Sequence, residues 1–359
     1  MENSDLERLG WTAELSQAFP PHAAAGLIPA RIAARHRSGY LVHTGLEEMP
    51  GEVSGRLRHE GAGFPAVGDW VAVSLEGGRA RIEAILPRHS VFERAANDPT
   101  RPGAATTVEV VAANVDLVLI VTGALDDLNL RRLERYLATA WTSGAQPTVV
   151  ITKIDLVDEP QSLITLVQAV SPGATVLGVS NVTGEGVEAV RALIGPGRTA
   201  ALLGSSGVGK SSLVNRLLGR DRQAVSDVRS DGRGRHTTTA RELLSLPGGG
   251  LVLDTPGMRL ISPADDAGLD AAFADVEALA RACRFGDCRH RDEPGCAVRA
   301  AVEQGLLEPD RLEGWDKLHR ELAHLERKED PAAQADRRRR SRVIHKAQRK
   351  RYKAREAED

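Results

Sequence analysis

The chain has 359 residues, 42% hydrophobic and 27% charged, which suits two or three cored domains of ordinary soluble composition. Lysine and arginine total 47 against 49 acidic residues, a formal net charge of -2, so there is no global electrostatic case for a nucleic-acid partner. No apolar run is long enough to cross a bilayer, Met1 to Gly10 lack a signal-peptide core, and 3 cysteines do not make a disulfide framework; the expectation is a cytoplasmic protein without a membrane partner.

Residues 1–30 form an N-terminal extension whose Trp11, Phe19, Pro20 and Pro21 follow no period. Residues 31–100 change character. Short alternating runs, Gly39–Val42, Gly51–Leu57, Val67–Val73 and Ala80–Pro87, are punctuated by glycine and proline and predict a small OB-like β-barrel. Such barrels often bind RNA, and on this pattern alone a purely structural barrel stands nearly level with that reading.

Residues 105–265 alternate strands and helices. Val115–Thr122 is a continuous apolar strand, and Leu128–Ala140 places Leu130, Leu133 and Leu137 on one helical face. Further strands are expected at Thr148–Thr152, Thr175–Ser180, Thr199–Leu203, Glu242–Leu246 and Leu251–Asp254. The alternation predicts a mostly parallel sheet, helices on both faces, and a ligand at the carboxyl ends of the strands. Residues 266–330 read as a helical domain with a Cys/His cluster and a helix over Pro309–Lys328. Residues 331–359 are an arginine-rich tail, which by itself is a solvated charge run.

The strongest motif is Gly204-Ser205-Ser206-Gly207-Val208-Gly209-Lys210-Ser211, a G-x-x-x-x-G-K-S phosphate loop between a strand and a helix expected over Ser211–Leu218, which includes Ser212. Its glycines let backbone N–H groups curl toward phosphates, Lys210 reaches the β/γ-phosphates, and the Ser211 hydroxyl binds Mg²⁺. Leu251-Val252-Leu253-Asp254-Thr255-Pro256-Gly257 is an apolar strand ending in D-x-x-G. There Asp254 would hold Mg²⁺ through water and the Gly257 N–H would face the γ-phosphate. Between them, Asp231 to Thr239 is a Gly/Arg-rich loop with three threonines, read as a first switch, with Thr238 as a Mg²⁺ ligand.

Thr152-Lys153-Ile154-Asp155 is a T-K-x-D at a strand end. A carboxylate there accepts guanine N1–H and N2–H₂, a donor pair adenine lacks, so Asp155 predicts GTP, with Lys153 along the base plane. Ser180-Asn181-Val182-Thr183-Gly184 resembles the S-A-x-x-G loop that meets guanine O6 through a backbone N–H. Both guanine motifs precede the phosphate loop, the reverse of the Ras-like order, which a parallel sheet permits because the site is built from neighbouring strand ends. Cys283, Cys288, His290 and Cys296 form C-x4-C-x-H-x5-C, a donor set for one closed tetrahedral structural Zn²⁺.

Together these residues, with Val67–Val71, Asn129–Leu137 and Arg235–Thr239, resemble the circularly permuted small-subunit ribosome-biogenesis GTPases of bacteria, over about residues 31–325. The resemblance implies an OB barrel, a permuted GTPase and a zinc domain that dock on the small ribosomal subunit and its rRNA late in maturation. It also implies a slow GTPase stimulated by that subunit, which gives the basic tail a partner. Met258 stands where Ras-like proteins carry a water-orienting Gln, so His236 is the candidate to align the attacking water, and Arg233 or Arg235 a candidate finger. A monomer is expected. The rival expectations are a GTPase of the large subunit or of translation, and an RNA-bound scaffold using GTP only as a structural ligand.

Overall fold

The computed structural model describes residues 3–36, 39–59, 63–96, 107–125, 127–219, 241–254 and 265–329. His236, Thr238, Gly257 and Met258, the candidate fingers and the basic tail lie outside these residues. Two compact units divide the chain, Met1–Glu277 and Ala278–Asp359.

In the first unit, three short helices, α1 (Asn3–Arg8), α2 (Ala13–Ala18) and α3 (Pro20–Ala24), precede the barrel. Thr12 caps α2 by accepting the Leu15 N–H, and proline opens α3, where no backbone donor is needed. These helices have a packing role that their sequence did not disclose. Leu6, Leu9, Trp11 and Leu15 share a buried cluster with Trp70, Leu86 and Leu251.

The barrel comprises β1 (Ile28–His36), β2 (Gly39–His43), β3 (Glu48–Val53), a turn of helix α4 (Gly55–His59), β4 (Trp70–Glu76) and β5 (Arg79–Ile85). Its strands run in the order β1-β2-β3-β5-β4, and pairing of β1 with β4 closes it. Two details differ from the sequence expectation. β1 begins at Ile28, upstream of the expected barrel start, and Gly55–Leu57 turns into helix α4 instead of continuing the strand. Ser54 explains the second, since its hydroxyl accepts the Leu57 N–H at 3.2 Å in the manner of an N-cap.

A two-stranded ribbon, β6 (Val91–Ala96) with β7 (Thr107–Ala113), leads to the α/β sheet. Its elements are β8 (Leu117–Gly123), α5 (Leu130–Thr142), β9 (Gln146–Thr152), α6 (Pro160–Ala169), β10 (Thr175–Val179), α7 (Val187–Ile194), β11 (Thr199–Leu203), α8 (Lys210–Leu218), β12 (Arg241–Ser245), β13 (Leu251–Asp254) and α9 (Asp266–Ala272). The order β10-β9-β8-β11-β13-β12 is parallel except for β12, which is antiparallel to β13. The central strands β8 and β11 are buried along their whole length, as helices on both faces require. β12 also pairs with β1, so sheet and barrel form one eleven-stranded ladder among the described residues.

Arg31, buried within β1, ties the parts of this unit together. Its Nε donates to the Gly68 carbonyl at 3.2 Å, its Nη2 to Asn114 at 2.9 Å, and its Nη1 to Leu9. One guanidinium thus joins the N-terminal helices, the barrel and the approach to β8. Burial pushes its pKa down to about 10, against the raising influence of Asp116 and Asp69. Asp69 is itself buried and gripped by Arg88 through two hydrogen bonds of 2.7 and 2.6 Å. Arg31→Met removes three buried hydrogen bonds, leaving the Gly68 carbonyl only its bond from Asn114 Nδ2, and it is expected to destabilise the unit by ~3 kcal/mol or more. The urea midpoint of unfolding measures that loss.

After α10 (Ala274–Ala280), the second unit contains the cysteine loop, α11 (Ala297–Glu303) and α12 (Pro309–Glu329). No described helix is long and apolar enough to cross a membrane.

Candidate nucleotide and metal sites

The carboxyl ends of β8, β9, β10 and β11 gather the phosphate and guanine motifs, although the chain supplies them in permuted order. The phosphate loop runs from β11 into α8, and two of its glycines are required by close approach. At Gly204, with φ +152°, a Cβ would lie 2.2 Å from the Val121 carbonyl oxygen of β8. At Gly209, with φ +94°, it would lie 2.9 Å from the Asn181 amide nitrogen. Val208 is buried between them and pins the loop to the core that contains Leu213, Val214 and Leu217 of α8. Lys210 Nζ donates to the Gly204 carbonyl at 2.9 Å and to Ser205, so the ammonium lies over the loop. Ser205, Ser211 and Ser212 are partly exposed and Ser206 and Gly207 exposed, at the helix N-terminus where the dipole favours an anion.

Thr152 ends β9 fully buried. Its hydroxyl donates to the Val208 carbonyl at 2.6 Å, with the Thr122 carbonyl 3.2 Å away, so the T-K-x-D segment braces the phosphate loop. Lys153 follows in the left-handed region, with φ +61°. This turn and the 3₁₀ turn Ile154–Leu156 bury Ile154 while leaving Lys153 and Asp155 exposed. Anchoring by the middle residue is what lets the two flanking polar side chains face a ligand.

Ser180 is buried at the end of β10, and its hydroxyl accepts the N–H groups of Val182 at 3.2 Å and Thr183 at 3.1 Å. Its carbonyl accepts the Gly184 N–H at 2.9 Å, and the Thr183 hydroxyl accepts that of Glu185 at 3.2 Å. In this turn the Asn181 N–H alone has no acceptor among the described residues. The Asn181 side chain donates from Nδ2 to the Gly209 carbonyl at 3.1 Å, which adds a second tie between guanine loop and phosphate loop. Its buried Oδ1 has no partner among the described residues. β13 carries Asp254 to the end of the strand beside β11, in register with Glu242 of β12.

In the second unit the four residues of the cysteine motif converge. Cys283 Sγ lies 3.6 Å and Cys296 Sγ 3.5 Å from His290 Nδ1, and the two sulfurs are 3.9 Å apart. With Cys288, all four ligand atoms fall within 4.8 Å of one another, a set that can hold a metal ion. Local geometry builds the pocket. His290 takes a positive φ of 58°, the Glu293 carboxylate accepts the N–H groups of Arg289 and Arg291, and Cys296 caps α11 by accepting the Arg299 N–H. Trp315 of α12 packs on the His290 ring at 5.0 Å between centroids. That support across α12 has no local sequence signal.

Comparisons with known proteins agree with this architecture. The family model described as "RsgA GTPase" matches residues 85–263, and a second, described as "50S ribosome-binding GTPase", matches residues 199–330. The chain is 44% identical to the small ribosomal subunit biogenesis GTPase RsgA of Opitutus terrae, across 96% of this chain and 97% of that one. It is 43% identical to the Streptomyces coelicolor protein of the same name, across 93% and 91%. Among solved structures, YjeQ from Thermotoga maritima superposes with a TM-score of 0.64 at 27% identity, over 83% of this chain and 99% of its own. YloQ, described as a circularly permuted GTPase, shares the fold with a TM-score of 0.59 at 24% identity, over 83% and 96%. A closed barrel ahead of a permuted phosphate-loop domain and a Cys₃His cluster behind it complete the picture: the chain belongs to the RsgA GTPase family.

Proposed function

We propose that this GTP hydrolase binds the small ribosomal subunit and assists its late maturation, working in the cytoplasm as a monomer. The observation that carries the reading is the convergence of the guanine motifs on the phosphate loop, through Thr152 to Val208 and Asn181 to Gly209. The names of the relatives point to the small subunit. The barrel and the arginine-rich tail are the proposed contacts with its rRNA, whose phosphates suit guanidinium groups.

In this reading Asp155 accepts guanine N1–H and N2–H₂, Lys153 lies along the base, and the Asn181 N–H meets O6. The N–H groups of Gly204 to Ser212 surround the phosphates. Ser211, Thr238 and Asp254 are the residues that would hold Mg²⁺, and the ion would supply charge neutralisation at the phosphates. Water attacks the γ-phosphate in line, Lys210 neutralises charge developing there, and the Gly257 N–H faces the same group. Met258 cannot orient the water, so the intrinsic rate is low until docking places His236. Completion of a site in this way raises turnover by ~10³ to 10⁵.

The metal of the second unit is assigned as one structural zinc. Bonds of ~2.3 Å to sulfur and ~2.0 Å to nitrogen in a tetrahedron give edges of about 3.5–3.8 Å. The observed separations of 3.5, 3.6 and 3.9 Å fit. Three thiolates and an imidazole leave no open position for chemistry. Removal of zinc by a strong chelator, or Cys296→Ser, is expected to make residues 278–329 sensitive to protease while GDP binding persists. Metal content and mass-mapped proteolysis measure both.

A second reading, action on the large subunit, is favoured by one observation, the match of residues 199–330 to the 50S ribosome-binding model. That span excludes the barrel and β8 to β10. Co-sedimentation with isolated subunits separates the two: binding to small subunits with a GTP analogue, weaker with GDP, is expected, and binding to large subunits alone would support the second reading. His236→Ala should co-sediment normally yet lose stimulation of hydrolysis.

A further inference from the structure

The guanine loop is also held from outside by a side chain that no motif contains. Arg216 lies on α8, exposed, and donates from Nε to the Asn181 carbonyl at 2.7 Å and from Nη2 to the Val182 carbonyl at 2.8 Å. A guanidinium fork satisfies two acceptors only at one spacing and orientation, so this grip restricts the torsions of the chain at both residues. The platform is itself fixed. Arg191 of α7 donates to the Arg216 and Leu217 carbonyls at 3.2 and 3.1 Å, and the Gly219 cap closes the end of α8. From the other side, the Asn181 amide reaches the Gly209 carbonyl. Asn181 is therefore held on both sides, by its side chain to the phosphate loop and by its carbonyl to the helix that this loop opens. It carries the loop donor left without an acceptor among the described residues.

We propose that Arg216 is a positioning residue for base recognition: by gripping the Asn181 and Val182 carbonyls it aims the Asn181 N–H at the 6-oxygen of guanine. The proposal rests on the reading of Asp155 and Ser180–Gly184 as the base site. In this role Arg216 acts through the loop carbonyls it grips. Its effect is selective, because the N2 amine is read by Asp155 on a separate loop that Arg216 does not contact.

The test compares GDP, 6-thio-GDP and inosine diphosphate by calorimetric titration of the full chain. The thio analogue weakens the acceptor at position 6 and keeps N1–H and the amine, while inosine lacks only the amine. Wild type should prefer GDP to both. Arg216→Ala should lose roughly threefold to tenfold in GDP affinity, the scale of one hydrogen bond. Its preference for GDP over 6-thio-GDP should fall toward unity, with the GDP-to-inosine preference unchanged. Arg216→Lys, with a single donor group, should fall between, and the thermal midpoints of all three proteins should agree because the side chain is exposed. An unchanged preference over 6-thio-GDP in Arg216→Ala, or equal loss of both preferences, overturns the proposal. A wild-type protein indifferent to both analogues overturns the base-site reading beneath it, which distinguishes the two failures.

Discussion

Lys210→Ala is expected to lower single-turnover GTP hydrolysis by ~10² to 10³ or more, because it removes the side-chain cation that offsets the charge developing on the γ-phosphate. The local structure makes this a clean experiment. The ammonium is held over the loop by the Gly204 carbonyl at 2.9 Å and by Ser205, while the loop is anchored independently by Val208 and by the Thr152 hydroxyl. Removing the side chain therefore leaves the loop in place. Lys210→Met, which keeps the methylene stem, should behave alike if charge is what matters. Unchanged hydrolysis in both variants would remove Lys210 from the chemistry.

Asp155→Asn should change the choice of base. The carboxylate accepts two hydrogen bonds from guanine, and charge-assisted bonds of this kind contribute ~1.5–3 kcal/mol each. An amide can keep one acceptor but turns a donor toward the second guanine donor. Xanthine, with a carbonyl in place of the amine, suits that amide. GTP affinity should fall by ~10² or more and XTP affinity should rise. Competition binding against a fluorescent nucleotide reads both. The fold should hold, since Asp155 is exposed and Ile154 anchors the turn. Retained GTP preference would move base recognition away from this loop.

These sites were readable because their chemistry is local. The phosphate loop needs consecutive residues of fixed type, and the strands feeding it are apolar runs, so Thr199–Leu203 was located to the residue and α8 to within one. The C-x4-C-x-H-x5-C spacing likewise marked four candidate ligands that the structure brings together. What escaped depends on distant partners. β1 places Arg31 in the interior, and its flanking alanines show no alternation that would mark Ile28 as the first strand residue. The N-terminal leucines and Trp11 lack a period because their counterpart is Trp70 and Leu251, remote in sequence. Pairing of β1 with β12 is set by tertiary contact and has no pattern to read. Arg216 is the most instructive omission: a charged residue on an exposed helical face reads as solvated surface until the carbonyls of another loop are seen beneath it.

The central claim is that a permuted GTPase domain works for the small subunit. The most direct measurement is GTP hydrolysis by the purified chain, alone and with isolated small or large ribosomal subunits. Slow intrinsic turnover, raised strongly by small subunits and not by large ones, is the predicted result. Stimulation by large subunits alone, or by neither, would contradict the account.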